Sequence, residues 1–277
     1  MPTYLLRAIA ICMLAAAGAP AGLFAQAASG QGASEPGASE SWEDREPLVT
    51  DRPDFTESAL TVFPWHLQIE MGYTAARVQG ETEHSVGEIL VRVGLADRLE
   101  ARVGLNSFAW VAAEGNDPQG LEDVSLGAKI NFVRAKPGTA VPDFGLLVSA
   151  SFPTGADDLG EGAHVLPVAV LAAGLDVTDW MSAGANVGWG YLDDGAGRYS
   201  QFSASLALGF SLAEWLGAYA EYFGLAPELD GGPDSHFLNG GFTFLLSRDV
   251  QLDARAGFSV DDAETDLFAG AGLAFRI

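Results

Sequence analysis

Residues 86–106 read VGEILVRVGLADRLEARVGLN and contain two segments of alternating side chains joined by a short polar turn. Every second residue is apolar from Ile89 to Leu95, and again from Leu99 to Leu105. The charged residues of both segments have the opposite parity: Glu88, Arg92, Glu100 and Arg102. A period of two predicts β-strands. Because the charges are confined to one parity, the pattern predicts a hairpin with one apolar face and one water-exposed face.

The same pattern continues to the last residue, with tight turns alternating with longer, acidic, glycine-rich loops. The tight turns are predicted at Ala96-Asp97-Arg98, Arg134–Asp143, Asp176-Val177-Thr178-Asp179, Ala213-Glu214 and Ser247-Arg248-Asp249. Residues 60–277 allow about 18 residues per strand with its share of turn, which favours 12 strands, with 10 or 14 as alternatives. The predicted fold class is therefore all-β, a transmembrane antiparallel up-and-down β-barrel.

Residues 1–27 have the features of a cleaved signal peptide. Arg7 precedes the apolar stretch Ala8–Ala17, and Ala25-Gln26-Ala27 fits a small-x-small cleavage pattern. Cys12 is the only cysteine, so the mature chain is expected to contain none. Residues 28–59 are expected to form a flexible periplasmic segment, since the first part of it is rich in Ser, Gly, Ala and Glu.

The formal net charge is −23, from 14 Lys and Arg against 37 Asp and Glu. Such a balance argues against nucleic-acid binding, which requires a basic surface. Much of the acid lies in the alternate, longer loops, so one end of the barrel is expected to be strongly acidic. The expected location is the outer membrane of a Gram-negative bacterium, reached through the periplasm.

Charged residues also occur in mid-strand, at the parity expected for the lumen: Glu70, Glu88, Arg92, Glu100, Arg102, Asp123 and Lys129. Glu221, Asp253, Arg255 and Arg276 extend this set to the far side of the barrel. Charges inside a barrel are costly unless paired or hydrated, so we expect a cross-strand ion-pair network. It could act as a selectivity ring or gate in a pore. The favoured alternative is a salt-bridged plug, because a 12-stranded lumen is narrow.

Thr50–Ser58 (TDRPDFTES) precedes the first strand and is expected to be extended at Pro53. Two interpretations remain open for Asp51, Arg52, Pro53 and Asp54. The segment could enter the periplasmic mouth of the barrel, where Arg52 or Asp54 would pair with the lumen charges. Alternatively, it is an ordered linker that starts the barrel.

Trp110, Trp189 and Tyr191 are predicted to form a rim around which a ligand enters. The densest acidic clusters, Asp157-Asp158 and residues 261–264, lack a recognised calcium spacing, and no metal site is assigned. The four histidines do not form a catalytic triad with nearby residues in sequence: His66, His84, His164 and His236. No catalytic residue and no cofactor are predicted, and the chain is not expected to be an enzyme.

Thr50–Ser58 also resembles the N-terminal motif of a large family of bacterial outer-membrane barrels named for transporters of the meta-pathway of phenol degradation. Further matches follow in the family's order: Leu67–Tyr73, Leu99–Gly104, Gly120–Lys129 and Ser151–Gly155. The resemblance extends from about Leu48 to Ile277. It implies a barrel in the outer membrane and a role in taking up aromatic or other hydrophobic compounds.

The predicted function is passive uptake of small hydrophobic or aromatic compounds. The expected partners are outer-membrane lipids, the barrel-assembly machinery and these solutes. One alternative is a barrel that transports nothing and acts as a surface adhesin or structural protein through its acidic loops. A third hypothesis is a hydrolase with its site at the rim.

Overall fold

The computed structural model describes residues 46–105, 107–112, 119–135, 139–156, 164–193 and 197–277. The predicted signal peptide, most of the predicted flexible segment and the Asp157-Asp158 cluster lie outside these ranges. No helix in the described ranges has the length and hydropathy needed to cross a membrane.

The described residues form fourteen β segments. They are β1 (Leu67–Val78), β2 (Glu81–Ala96), β3 (Leu99–Leu105), β4 (Phe108–Ala112), β5 (Gln119–Leu121), β6 (Val124–Val133), β7 (Asp143–Phe152), β8 (Leu166–Thr178), β9 (Met181–Asp193), β10 (Arg198–Ala213), β11 (Leu216–Ala226), β12 (Ser235–Ser247), β13 (Val250–Ser259) and β14 (Thr265–Arg276).

These segments make a closed antiparallel barrel of twelve strands. Each strand of the barrel pairs with the next one around it. β1 pairs with both β2 and β14, which closes the sheet. Two barrel strands are interrupted, since β3 and β4 both pair with β2, while β6 pairs with β3 and β5 with β4. The predicted fold class and strand number are confirmed.

The two ends of the barrel differ in their connections. Four two-residue turns lie at one end, here called the turn end: Asp97-Arg98, Asp179-Trp180, Glu214-Trp215 and Arg248-Asp249. The turn end also carries the β6–β7 connection, residues 134–142. The opposite end, the loop end, carries the other connections, including the tight Gln79-Gly80 turn, where both residues have positive φ. By the predicted topology the turn end faces the periplasm.

The two faces of the sheet have the expected chemistry. On β6, for example, Leu126 and Ile130 are exposed on the outer face, whereas Lys129 and Asn131 are buried inside the barrel. Large apolar side chains are exposed in the same way on the other strands. The apolar side chains therefore form a belt on the outer surface, and the side chains at the charged parity face the lumen.

Residues 48–62, here called the plug, lie inside the lumen. The amide of Leu48 donates a hydrogen bond to the carbonyl of Arg248, and a backbone bridge joins Pro64 to Gly94, so both ends of the plug are at the turn end. The tip near Phe55 reaches the middle of the barrel. A Cβ on Gly145 would lie 2.7 Å from the Ala59 carbonyl oxygen, so the wall is shaped for this chain.

The plug corrects the prediction that residues 28–59 form a flexible periplasmic segment. Its part from Leu48 onward is enclosed by the barrel, because polar side chains of the wall bind its backbone and its own charges pair with theirs. Of the two interpretations of Thr50–Ser58, the structure agrees with entry into the barrel, and the segment penetrates deeper than the mouth.

Enclosure of the plug predicts that Ser58→Cys is protected from a hydrophilic maleimide in the folded barrel, since Ser58 is buried. The matched control is Ser247→Cys, an exposed position at the turn end. We expect rapid labelling of the control and labelling of Ser58→Cys only after denaturation, measured by mass shift. Equal rates in the folded protein would contradict the enclosed plug.

Candidate functional site

The main feature of the lumen is a buried group of seven charged side chains, here called the ion cluster. Its members come from the plug and from four strands: Asp51, Glu57, Glu70, Arg92, Glu100, Arg102 and Lys129. β1, β2, β3 and β6 are neighbours in the barrel, which brings their inward-facing charges together. Four carboxylates and three cations are thus concentrated on one side of the lumen.

Asp51 is the central anion of the ion cluster and is fully buried. Its carboxylate lies 2.8 Å from Lys129 Nζ and 3.2 Å from Arg92 Nη1, and it also pairs with Arg102. Its backbone amide donates a 2.9 Å hydrogen bond to Glu70. One plug residue therefore contacts charged groups on all four strands.

Arg92 connects the strands to one another. Its guanidinium contacts Glu100 through Nε at 2.9 Å and through Nη2 at 3.0 Å, and Nη1 lies 2.9 Å from Glu70. The same group donates to the carbonyls of Val49 and Leu60 in the plug. Arginine suits this position because its five donors reach several acceptors at fixed angles.

Glu88 pairs with the plug residue Arg52, outside the ion cluster, at 2.5 Å. The register between β1 and β2 shifts here, and both Gly87 and Glu88 have positive φ, as in a β-bulge. Arg52 also lies 3.6 Å from Asp253 on β13. The alternation in the sequence predicts that Glu88 faces the lumen. Apart from the glycine at position 87, the sequence does not indicate the bulge beside it.

Asp123 does not belong to the ion cluster, which corrects its place in the predicted set. It lies in the break between β5 and β6, and Oδ1 accepts hydrogen bonds from the amides of Thr154 and Gly155 at 2.8 and 2.6 Å. Asp123 has the same parity as Lys129 and lines the lumen, so the alternation predicted its direction, while the hydrogen bonds above are to backbone amides and not to cations. Asp123 thus connects two chain segments near the loop end.

The far side of the lumen binds the tip of the plug. Glu221 accepts hydrogen bonds from the amides of Phe55 and Thr56, at 2.8 and 2.6 Å, and from the Thr56 hydroxyl. The Phe55 ring stacks on Phe223 with centroids 4.3 Å apart. Arg255 donates to the Pro53 carbonyl at 3.1 Å. Of the extended set, Arg276 lies elsewhere and pairs with Asp249 at the turn end.

Asp54 differs from the other plug charges. It is buried, yet neither carboxylate oxygen makes a hydrogen bond within the described part of the chain. A buried polar group without a hydrogen bond destabilises the state that buries it. Charge pairs on the β2, β3 and β6 side therefore stabilise the docked plug, whereas burial of the Asp54 carboxylate destabilises it.

A cavity of about 190 Å³ lies on the loop-end side of the plug. Its floor includes Arg52, Phe55 and Glu57, and its walls belong mainly to β3 and β6 to β10. These walls combine serine and glycine with leucine and valine.

The β11–β12 loop, residues 227–234, folds over the apolar side of this cavity. Leu229 packs against the cluster that Leu192 and Tyr199 form. The carbonyl of Glu228 accepts a 2.8 Å hydrogen bond from the Tyr199 hydroxyl. The loop thus packs against a cluster that includes Leu192, a residue of the cavity wall.

Two further contacts fix the β11–β12 loop. Gln201 lines the cavity and donates a 2.9 Å hydrogen bond to the Pro227 carbonyl. The Glu228 carboxylate accepts hydrogen bonds from the Ser235 hydroxyl and the Glu264 amide. Burial and the adjacent Glu228 raise the pKa of Glu264 above its usual value.

Of the predicted ligand rim, Trp189 is among the residues that line the cavity, whereas Trp110 and Tyr191 are not. Trp110 lies between the buried residues Ala109 and Val111, and Trp189 and Tyr191 alternate with buried residues on β9. Their rings are therefore on the outer face, where Trp189 stacks near Tyr191 and Trp110 on His84. Aromatic rings at this level are typical of membrane-interface girdles. Sequence position placed them near strand ends correctly but did not distinguish the girdle from the mouth.

Three histidines have defined partners near the loop end. His84 contacts the Tyr73 hydroxyl at 2.8 Å, His236 the Tyr222 hydroxyl at 2.6 Å, and His164 the Asp193 carboxylate at 2.8 Å. In none of these contacts is the partner a serine hydroxyl. Within the described ranges there is also no group of three or more His, Cys, Asp or Glu residues placed to hold a metal ion.

The position of Asp51 predicts that Asp51→Asn lowers the free energy of unfolding by about 3 kcal/mol, because the substitution removes the one carboxylate that pairs with all three buried cations. Urea titration in lipid vesicles, followed by tryptophan fluorescence, measures the change. Asp266→Asn, at an exposed position on β14, is the matched control and should have little effect. Equal stability of the two variants would contradict the central role of Asp51.

Comparison with solved structures places the fold among outer-membrane channels. An outer membrane channel from Pseudomonas putida F1 superposes with a TM-score of 0.57 at 14% identity, covering 78% of this chain and 97% of that one. The KdgM porin gives a TM-score of 0.52 at 9% identity, covering 75% and 98%. At these identities the likeness establishes the fold alone.

No functionally curated protein is detectably similar in sequence. The sequence profile of the family described as "Putative MetA-pathway of phenol degradation" matches residues 50–277, from the first residue of the Thr50–Ser58 motif to the end of the chain. With most of its length matched, including plug residues 50–62 and every barrel strand, the chain belongs to this family.

Proposed function

We propose that this protein is exported to the outer membrane of a Gram-negative bacterium by a cleaved signal peptide, and that it mediates passive uptake of small hydrophobic or aromatic compounds. The observation that carries the proposal is the cavity on the loop-end side of the plug. It is large enough for a small molecule, and part of its wall is aliphatic. A site of this kind is suited to a solute that water-filled pores exclude.

The plug defines how such a solute can pass. Its backbone and charged side chains occupy the turn-end half of the lumen and are hydrogen-bonded to the wall on both sides. A solute in the cavity can continue toward the turn end when the plug is displaced. Passage is then a sequence of binding in the cavity, movement of the plug and release, with no nucleotide-dependent step.

The outer surface supports the proposed partners. The apolar belt and its aromatic girdle fit contact with outer-membrane lipids. The final strand has Leu273, Phe275 and Ile277 on one face, which suits recognition by the barrel-assembly machinery.

A reversible crosslink tests whether the plug must move. The hydroxyls of Thr56 in the plug and Ser205 on β10 lie 2.8 Å apart, so we expect the sulfur atoms of the double variant Thr56→Cys/Ser205→Cys to meet and form a disulfide on oxidation. We expect the oxidised form to take up toluene at the background rate of cells lacking the protein, and reduction to restore uptake. The measurement is the initial rate of labelled toluene uptake by intact Gram-negative cells.

The two single-cysteine variants, treated with the same oxidant, are the matched controls and should retain uptake. Planar-bilayer recordings supply a second readout, with current steps that disappear on oxidation and return on reduction. Uptake that is equal in the oxidised and reduced double variant would contradict plug displacement. Equal uptake by cells with and without the protein would contradict the uptake function itself.

A further inference from the structure

The charges that meet at the plug do not balance. Within the described residues, the charged side chains of the plug and the wall charges that contact it comprise eight acids and five bases. The acids are Asp51, Asp54, Glu57, Glu70, Glu88, Glu100, Glu221 and Asp253, and the bases are Arg52, Arg92, Arg102, Lys129 and Arg255. Full ionisation would leave an excess of negative charge in a largely desolvated space, which is costly.

Asp54 differs from the other acids of the plug in this respect. Asp51 lies 2.8 Å from Lys129, and Glu57 lies 3.3 Å from Arg102. The Asp54 carboxylate is almost completely buried, and within the described residues it accepts no hydrogen bond and forms none of the ion pairs of the lumen. The docked plug therefore buries an acid that has neither a hydrogen-bond donor nor a paired cation.

The groups that face the Asp54 carboxylate oppose its ionisation. Glu221 and Tyr219 act on it from β11, Arg255 acts on it from β13, and Asp51 acts on it from within the plug. Two of these four groups are acids, and one is a cation. The surrounding charge and the burial therefore both favour the neutral form of the Asp54 carboxyl group.

Arg255, the cation of this group, uses its donors elsewhere. Its Nη1 donates a 3.1 Å hydrogen bond to the Pro53 carbonyl, and its Nη2 donates a 2.9 Å hydrogen bond to the Thr74 hydroxyl. The guanidinium carbon also lies 5.6 Å from the centre of the Phe268 ring. Arg255 thus stabilises the backbone of the plug and makes no ion pair with Asp54.

Glu221 has the donors that Asp54 lacks. It accepts hydrogen bonds from the amides of Phe55 and Thr56, from the Thr56 hydroxyl and, at 2.9 Å, from the Asn239 side chain. An ionised carboxylate requires such donors when it is buried. Of the two acids at the tip, Glu221 is therefore equipped to keep a negative charge, and Asp54 is the one that would hold a proton.

We propose that the docked plug holds a proton on the Asp54 carboxyl group and loses it to water when the tip leaves the wall, so that acid keeps the plug docked and rising pH favours its displacement. The inference rests on the plug movement of the proposed function and assigns its regulation. Each displacement converts one buried carboxylic acid into a hydrated carboxylate and one hydrated proton.

The direction of the pH dependence follows from the ionisation of a hydrated carboxyl group. An aspartate in water has a pKa of about 4, so Asp54 of a displaced plug is ionised above this pH. While the docked group keeps its proton, each displacement releases one proton, and the opening constant rises about tenfold per pH unit. Below about pH 4 both states are protonated, and this dependence disappears.

Planar-bilayer recordings at about pH 6 and about pH 7 test the proposal through the ratio of open to closed time. Asp54→Asn carries a neutral amide of nearly the same shape and reproduces the protonated group. Between the two pH values the ratio of the wild type should rise about tenfold more than the ratio of Asp54→Asn. At the higher pH the variant should open less often than the wild type.

Two further aspartate substitutions are the controls. Asp266→Asn removes an exposed acid on β14 and should keep the wild-type response to pH. Asp51→Asn removes a carboxylate that pairs with three cations and should open more often than the wild type at both pH values. Loss of an acid at Asp51 and loss of an acid at Asp54 are thus expected to have opposite effects.

Urea titration in lipid vesicles is a second measurement, and it does not depend on current. Unfolding also transfers Asp54 from the desolvated lumen to water. From about pH 6 to about pH 7, the unfolding constant of the wild type should therefore rise about tenfold relative to the unfolding constant of Asp54→Asn. Circular dichroism verifies that each variant is folded before the titration.

Equal pH dependence of the wild type and Asp54→Asn in the two measurements would overturn the proposal. More frequent opening of Asp54→Asn at the higher pH would also overturn it, because the ionised carboxylate would then stabilise the docked plug. Absence of current in every variant would overturn the control of opening by Asp54. Toluene uptake tests the proposed function separately: uptake that does not respond to pH removes this inference alone, whereas equal uptake by cells with and without the protein removes the function.

Discussion

The pairing of one aspartate with three cations is the interaction on which the interior of this barrel depends. Arg92, Arg102 and Lys129 lie on neighbouring strands and point into a narrow, largely desolvated space. Without the plug they would have only Glu70 and Glu100 as partners. Asp51 supplies the anion that reaches all three. Removing one member of such a buried group is strongly destabilising, so wall and plug are complementary parts of one structure.

The two sides of the lumen hold the plug by different means. On the β2, β3 and β6 side the contacts are ion pairs, which are strong but demand that each charge finds its partner. On the β11 side the contacts are Glu221 with two backbone amides and Phe55 with Phe223, while the buried Asp54 carboxylate accepts no hydrogen bond from the residues that the structure describes. This difference identifies the tip, rather than the charged base near Asp51, as the part from which displacement would begin.

Alternation along the strands was sufficient to predict the fold, because a barrel in a membrane requires an apolar outer face and a wet inner face at every position. The same argument placed Glu70, Arg92, Glu100 and Lys129 in the lumen. It did not predict partners, since Asp123 lines the lumen at the expected parity but binds backbone amides near the break between β5 and β6. It also could not assign Trp110 or Tyr191 to the girdle rather than the mouth, because both locations lie at strand ends.

The sequence near each lumen charge does not predict which residue it pairs with. Asp51 and Lys129 are 78 residues apart, and only the closed barrel brings them together. Glu57 was part of the quoted motif but was not singled out, since an acidic residue before the first strand is as consistent with a solvated linker as with burial. Its pairing with Arg102 depends on the depth to which the plug enters, which neither composition nor spacing encodes.

Arg52 contacts Glu88 on β2 and Asp253 on β13, and these strands lie on either side of the β1–β14 pair that closes the barrel. Both contacts exist together only after the first and last strands have met. A chain that has not completed its sheet has no position in which Arg52 satisfies both acids. Arg52 can therefore make both contacts only after β1 and β14 have paired, so its docking marks a late stage of barrel assembly.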